Sequence, residues 1–188
     1  MELMVTLVVA AVLLGIGVPS FRVFIASGRL TGAANETLVA VIAARNEAVR
    51  RQTFVSVCPS ADPTDASPSC AGAATDGFIS FVDTNSNCIR EATEAVVATV
   101  SVHNLVRTQH NNTCMTFASN GFRIVVAGQP TTARAVFCDE HGNALRFPGG
   151  TESWARGIEI LPTGRPAVSR LYAELGTWAV GASPVVCP

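Results

Sequence analysis

From Leu3 to Val18 the chain reads LMVTLVVAAVLLGIGV, with no charge and with Thr6 as its one polar side chain. As a helix this stretch would extend roughly 24 Å, just short of the ~30 Å hydrocarbon core of a bilayer, and continuation through Phe21 would let it cross. A buried core helix of a soluble domain is rarely so uniformly apolar, so lipid or other helices must cover the segment. Glu2 sits at its start. A carboxylate there costs on the order of 2.5–3.5 kcal/mol on insertion scales, so it calls for a partner. A secretory signal peptide would open on basic residues and end at a small-residue cleavage site. Here the start is acidic, and Pro19 to Ile25 offers no such site. A plain single-span anchor explains the length but leaves Glu2 unexplained.

Beyond the apolar stretch, Leu30, Ala34, Leu38, Val41, Ile42, Ala48 and Val49 recur at helical spacing, with Arg29, Glu36, Arg45, Glu47 and Arg50 mostly on other faces. Pro19 falls inside this long pattern. It removes one backbone hydrogen bond and is expected to kink the helix rather than end it, since the periodicity resumes beyond it. One helix of about fifty residues is predicted, apolar in its first half and one-sided in its second. Short runs rich in Val, Ile and Phe follow, at Phe54–Val57, Gly77–Asp83, Ala95–Val102, Met115–Phe117, Arg123–Ala127, Arg134–Cys138, Gly157–Leu161 and Ala167–Leu171. Turn residues separate them, among them Ser119-Asn120-Gly121 and Pro162-Thr163-Gly164. The expected class is α+β, with the amphipathic half-helix packed on antiparallel sheet. Residues 1–27 form the hydrophobic helical segment and residues 28–188 one globular domain. Residues 59–76, rich in Ala, Ser, Pro, Asp and Thr, read as its most mobile loop.

The six cysteines, Cys58, Cys70, Cys88, Cys114, Cys138 and Cys187, all lie beyond the apolar segment. An even set behind a membrane anchor points to an oxidising, extracytoplasmic compartment and up to three disulfides. Cys58 and Cys70, with eleven residues between them in a turn-rich loop, are the favoured first pair. Connectivity is open beyond that bond; Cys138–Cys187 with Cys88–Cys114 is the preferred remainder. No C-x2-C pair supports zinc, and no other metal or cofactor is expected. The three histidines, His103, His110 and His141, stand in no nucleophile or metal motif, and Asp139–Gly142 reads as a polar turn between strands. Neither TNSN nor HNNT has the acidic density of a calcium loop. No catalytic residue is assigned, and an enzyme is not expected. With a formal charge of −1, totals give no pull toward nucleic acid.

ELMVTLVVAAVLLGIGVPSF resembles the class III signal segment of type IV pilins and type II secretion pseudopilins. Glu2 falls on that superfamily's glutamate and Pro19 on its helix-kinking proline. Past the anchor, AANETLVAVIAARNEAVRRQTFVSVC (33–58), DGFISFVDTN (76–85) and IEILPTGRPAVSR (158–170) are similar to the minor-subunit group GspH/FimT. The resemblance implies a minor pilin or pseudopilin that helps initiate or cap a type IV pilus or a type II secretion pseudopilus. Its implied partners are other minor and major pilins or pseudopilins, the inner membrane, and a prepilin peptidase that removes a leader and leaves a methylated N-terminus. The globular domain is then periplasmic or, on a pilus tip, at the cell surface. Glu2 would pair with the positive N-terminus of an adjacent subunit and set axial register. FimT-like subunits also suggest DNA capture through a basic G-R-x-R element. That element reads Gly164–Arg165–Pro166–Ala167 here, so the second arginine is missing, although Arg170 follows. Six arginines against four carboxylates over residues 123–170 make a thin case for phosphate binding, so DNA is not the favoured partner.

Overall fold

In the computed structural model, residues 2–70, 76–125, 130–180 and 183–184 are described, without the side chains of Ile16, Pro19, Ser20, Ala179, Val180, Ser183 and Pro184. Helix α1 runs unbroken from Glu2 to Arg51, close to the predicted length. It passes through Pro19, the expected kink, whose side chain lies outside the described residues. The helix stops where Gln52 takes a left-handed conformation (φ 53°), and the Thr53 N–H closes back onto the Ala48 carbonyl at 3.2 Å. That six-to-one bond is the Schellman way of satisfying the last carbonyls of a helix.

The second half of α1 buries Leu30, Ala33, Ala34, Thr37, Ala40, Val41, Ala44 and Ala48. This is a three-to-four-residue stripe built mainly of alanine, and small side chains let the backbone approach the sheets closely. The expected core positions Ile42 and Val49 are instead exposed, at 39% and 42%, and Leu38 is only partly buried. The apolar arc in the sequence is wider than the stripe that the sheets can cover, so its margin is left in solvent.

Two antiparallel sheets flank the stripe. The first has the order β3-β2-β1-β5-β6, from Val96–Ser101, Gly77–Val82, Val55–Ser60, Met115–Phe117 and Arg123–Ile124. The second has the order β4-β7-β8-β9, from Arg107–His110, Ala133–Cys138, Glu152–Ile160 and Pro166–Leu171. Side chains of both join α1 in one core, including Val55, Val57, Phe78, Phe117, Phe137, Ile158 and Ile160. Every residue of β1 and β2 is buried, Ser56, Ser60 and Ser80 included, and their Val-, Ile- and Phe-rich runs mark them in the sequence. Strand β4 (RTQH) has no such run, and sequence reasoning missed it; its register against β7 holds it in the sheet.

A short helix α2, Tyr172–Thr177, is also new. Leu175 and the adjacent Trp178 pack over Gly157 of β8, where a Cβ would come within 2.4 Å of Leu175 and 2.5 Å of Trp178. They form a second apolar cluster with Val136, Cys138 and Ala155. Beyond it lies a small ribbon of β10, Ala179–Val180, and β11, Ser183–Pro184. Part of the anticipated mobile loop (71–75) and the end of the anticipated 123–127 strand lie outside the described residues.

Candidate functional site

The first half of α1 leaves the domain bare. From Leu3 to Leu14 every large apolar side chain is more than half exposed, with Met4 at 77% and Leu13 at 66%. Glu2, also exposed, occupies the first turn, where a carboxylate favours the positive end of the helix dipole. Among the described residues no helix is long and apolar enough to cross a membrane. The described apolar run from Leu3 to Gly15 extends roughly 20 Å. The sequence-based expectation of a spanning segment draws in addition on Ile16, Pro19 and Ser20, whose side chains are not described.

At the far end of the helix, two stretches singled out in the sequence meet. Arg45, from AARNEA, donates from Nε to the Gly121 carbonyl at 2.9 Å. Gly121 (φ 77°) ends the Ser-Asn-Gly turn between β5 and β6, and Gly164 (φ 75°) stands in the β8–β9 hairpin. A Cβ on Gly164 would lie 2.2 Å from the Gly121 carbonyl oxygen and 3.1 Å from Arg45 Nε. Glycine is therefore required there twice over, by the left-handed backbone and by the contact. The hairpin closes through Gly164 N–H to Leu161 O at 2.9 Å and Leu161 N–H to Arg165 O at 3.2 Å. Arg165 faces solvent from this turn.

Arg170 does not join it. The two arginines stand at opposite ends of β9, about 16 Å apart at strand rise. Arg170 lies instead beside Arg156, whose guanidinium is buried at 2% exposure. Arg156 donates from Nη1 to the Ser153, Trp154 and Ala155 carbonyls at 2.9 Å each, and its Nη2 lies 3.4 Å from Ser27 Oγ on α1. Burial, followed by the charges of Arg170 and Arg146, presses its pKa below the usual guanidinium range. No sequence signal marked Arg156 as a buried cation, since its neighbours Ala155 and Gly157 give no partner by spacing.

Cys58–Cys70 and Cys88–Cys114 are bridged, with Cα atoms 5.5 and 6.0 Å apart. Cys138 is likewise disulfide-bonded, and Cys187 lies outside the described residues. The histidines are dispersed. His110 meets Phe78 edge-on at 6.4 Å, His141 stacks on Trp154 at 4.6 Å, and His103 accepts the Leu105 N–H in the β3–β4 turn. Asp139 to Gly142 forms the expected turn, closed by Gly142 N–H to Asp139 O at 3.1 Å. The DTNSN loop is organised by buried Asp83, whose carboxylate accepts Ser56 Oγ (2.6 Å), Cys88 N–H (2.9 Å) and Asn87 N–H (3.1 Å). Those donors use the oxygens that a calcium ion would need.

A long helix laid on antiparallel sheets by its second half, with its apolar first half uncovered, is the architecture of a pilin-type subunit. The sequence model described as "Type II transport protein GspH" matches residues 33–164, and the chain belongs to that family. Among solved structures, the type IV minor pilin FimU of Pseudomonas aeruginosa superposes with a TM-score of 0.50 at 18% identity, over 76% of this chain and 89% of that one. The minor pseudopilin EpsH of the Vibrio cholerae type 2 secretion system gives a TM-score of 0.48 at 7% identity, over 76% and 97%. The curated proteins contain no match to the sequence. The matched family and fold are those of structural pilin subunits.

Proposed function

We propose that this chain is a minor pilin or pseudopilin that helps initiate or cap a type IV pilus or a type II secretion pseudopilus, and that it acts as a structural subunit rather than an enzyme. The observation that carries this reading is the bare apolar half-helix with a single carboxylate at its start, attached to a disulfide-bridged domain. Residues 1–27 hold the chain in the inner membrane before assembly and pack in the filament core afterwards; residues 28–188 stand in the periplasm. A prepilin peptidase and other pilins or pseudopilins are its partners. In a dry helical bundle an unpaired carboxylate is costly. Glu2 therefore favours the register in which a neighbour's N-terminal ammonium meets it, and disfavours slipped ones.

The test is Glu2→Ala in the full-length precursor. Membrane insertion should be unchanged, while incorporation into filaments falls. Normal incorporation would refute the register role. DNA capture has less support, because Arg165 and Arg170 do not form one patch.

A further inference from the structure

Two contacts fix how the domain stands along α1. Arg156 of β8 meets Ser27, and the β8–β9 hairpin at Gly164 meets Arg45. Ser27 to Arg45 spans about 27 Å of helix, and Arg156 to Gly164 about 26 Å of strand. Strand β8 thus runs alongside α1 in the same direction, and β9 returns toward the bare half of the helix. Leu171 lies two residues past Ser169, which pairs with Gly157. Gly157 lies one residue on the Arg45 side of Arg156, so Leu171 stands roughly 3 Å beyond the Ser27 level, about level with Ile25.

Leu171 pairs with Glu152, Arg146 N–H bonds the Glu152 carbonyl at 2.9 Å, and Tyr172 N–H bonds Thr151 O at 2.9 Å. The 145–147 loop therefore reaches the same level. This end of the domain exposes Phe147 (60%), Tyr172 (43%), Leu171 (43%) and Leu145 (39%). Beside them on α1 stand Phe21 and Phe24, 68% and 75% exposed. Arg146 lies over the Phe147 and Trp154 rings at 5.4 and 5.5 Å, and Arg170 is exposed next to it. Of the carboxylates here, Glu152 faces Arg146 at 4.0 Å and Glu174 accepts from Ser169 Oγ; Glu140 is exposed.

We infer that this basal face docks on the phospholipid bilayer surface, Phe147, Leu171 and Tyr172 entering the interface while Arg146 and Arg170 meet lipid phosphates. The inference rests on the proposed membrane anchoring of residues 1–27. Three observations select lipid as the occupant. The face is continuous with the bare apolar helix. It stands at the level where that helix would leave the hydrocarbon. It combines aromatic rings with arginine, the composition that membrane–water interfaces favour, and arginine stems can lie on apolar surface while their heads reach phosphate. Docking would hold the domain close to the membrane until assembly lifts it off.

The two tryptophans of the chain, Trp154 and Trp178, both lie outside the anchor. Trp154 stands beside the basal loop under Arg146, whereas Trp178 is buried at 4% exposure. The full chain is reconstituted into phosphatidylethanolamine–phosphatidylglycerol vesicles with or without brominated acyl chains. Brominated lipid should quench tryptophan emission. Phe147→Ser with Leu171→Ser should reduce that quenching several-fold, with near-UV circular dichroism and co-sedimentation unchanged. Leu161→Ser, exposed at the opposite end of β8, should leave it intact. A chain that sediments with vesicles but shows equal emission in both lipids, or a double variant quenched like the parent, overturns the docking and spares the anchoring. A chain that does not sediment with vesicles overturns both.

Discussion

Gly164→Ala tests whether the Arg45 junction is as tight as described. The substitution carries two costs. A left-handed backbone costs an L-residue roughly 1–2 kcal/mol. The new methyl would also stand 2.2 Å from the Gly121 carbonyl oxygen, about 1 Å inside ordinary contact, and the obstacle is backbone rather than a flexible chain end. Overpacking of this kind costs about 1–3 kcal/mol. The sum is about 2–5 kcal/mol. For a chain of this size that lowers Tm by roughly 5–15 °C. Gly149 supplies the control: its φ is 74°, and nothing lies within 4 Å of its would-be Cβ. Gly149→Ala should therefore show the backbone cost alone. Thermal unfolding of the detergent-solubilised chain, followed by near-UV circular dichroism, measures both. Equal losses in the two variants would refute the close approach of Gly164 to Gly121 and Arg45.

Three further outcomes are expected. Burial holds the His110 imidazole pKa below its ordinary value, partly offset by its contact with the Asn112 carbonyl. The unfolded chain therefore binds that proton more readily, so stability should fall as pH drops below about 6.5, and urea titrations of His110→Gln should show a flatter profile there. The Cys58–Cys70 and Cys88–Cys114 bridges close separations of 12 and 26 residues. Paired serine replacement should cost about 3 and 3.5 kcal/mol respectively on the loop-entropy model, read by chemical denaturation; a larger loss at the shorter loop would contradict that model. Because Arg165 and Arg170 lie at opposite ends of β9, a gel shift with duplex DNA should show no binding at physiological salt. Micromolar binding abolished by the double alanine variant would reverse this.

The sequence carries the long helix plainly because a charge-free run and a three-to-four periodicity adjoin each other. It carries most strands through their Val, Ile and Phe runs. What it hides is whatever depends on partners far along the chain. Strand β4 is polar and owes its place to register with β7. Helix α2 exists because Gly157 leaves room for Leu175 and Trp178. Arg156 looks like any surface arginine until three carbonyls and Ser27 surround it. Glu2, the proposed assembly residue, can be singled out by its contrast with the apolar run, whereas the Arg45–Gly121–Gly164 junction needs three separated segments to meet.

The parallel placement of β8 along α1, tied near Ser27 and again near Arg45, has a mechanical consequence. A pull applied along the helix axis while the domain is held does not peel one contact after another. It loads the whole alanine-lined seam in shear, so many contacts resist at once. Its two ends differ in kind, a buried guanidinium at one and a packed glycine turn at the other, and neither can slide by one helical turn without losing its fit. The joint between rod and domain is built to bear tension along its length, and a sideways force would open it far more easily.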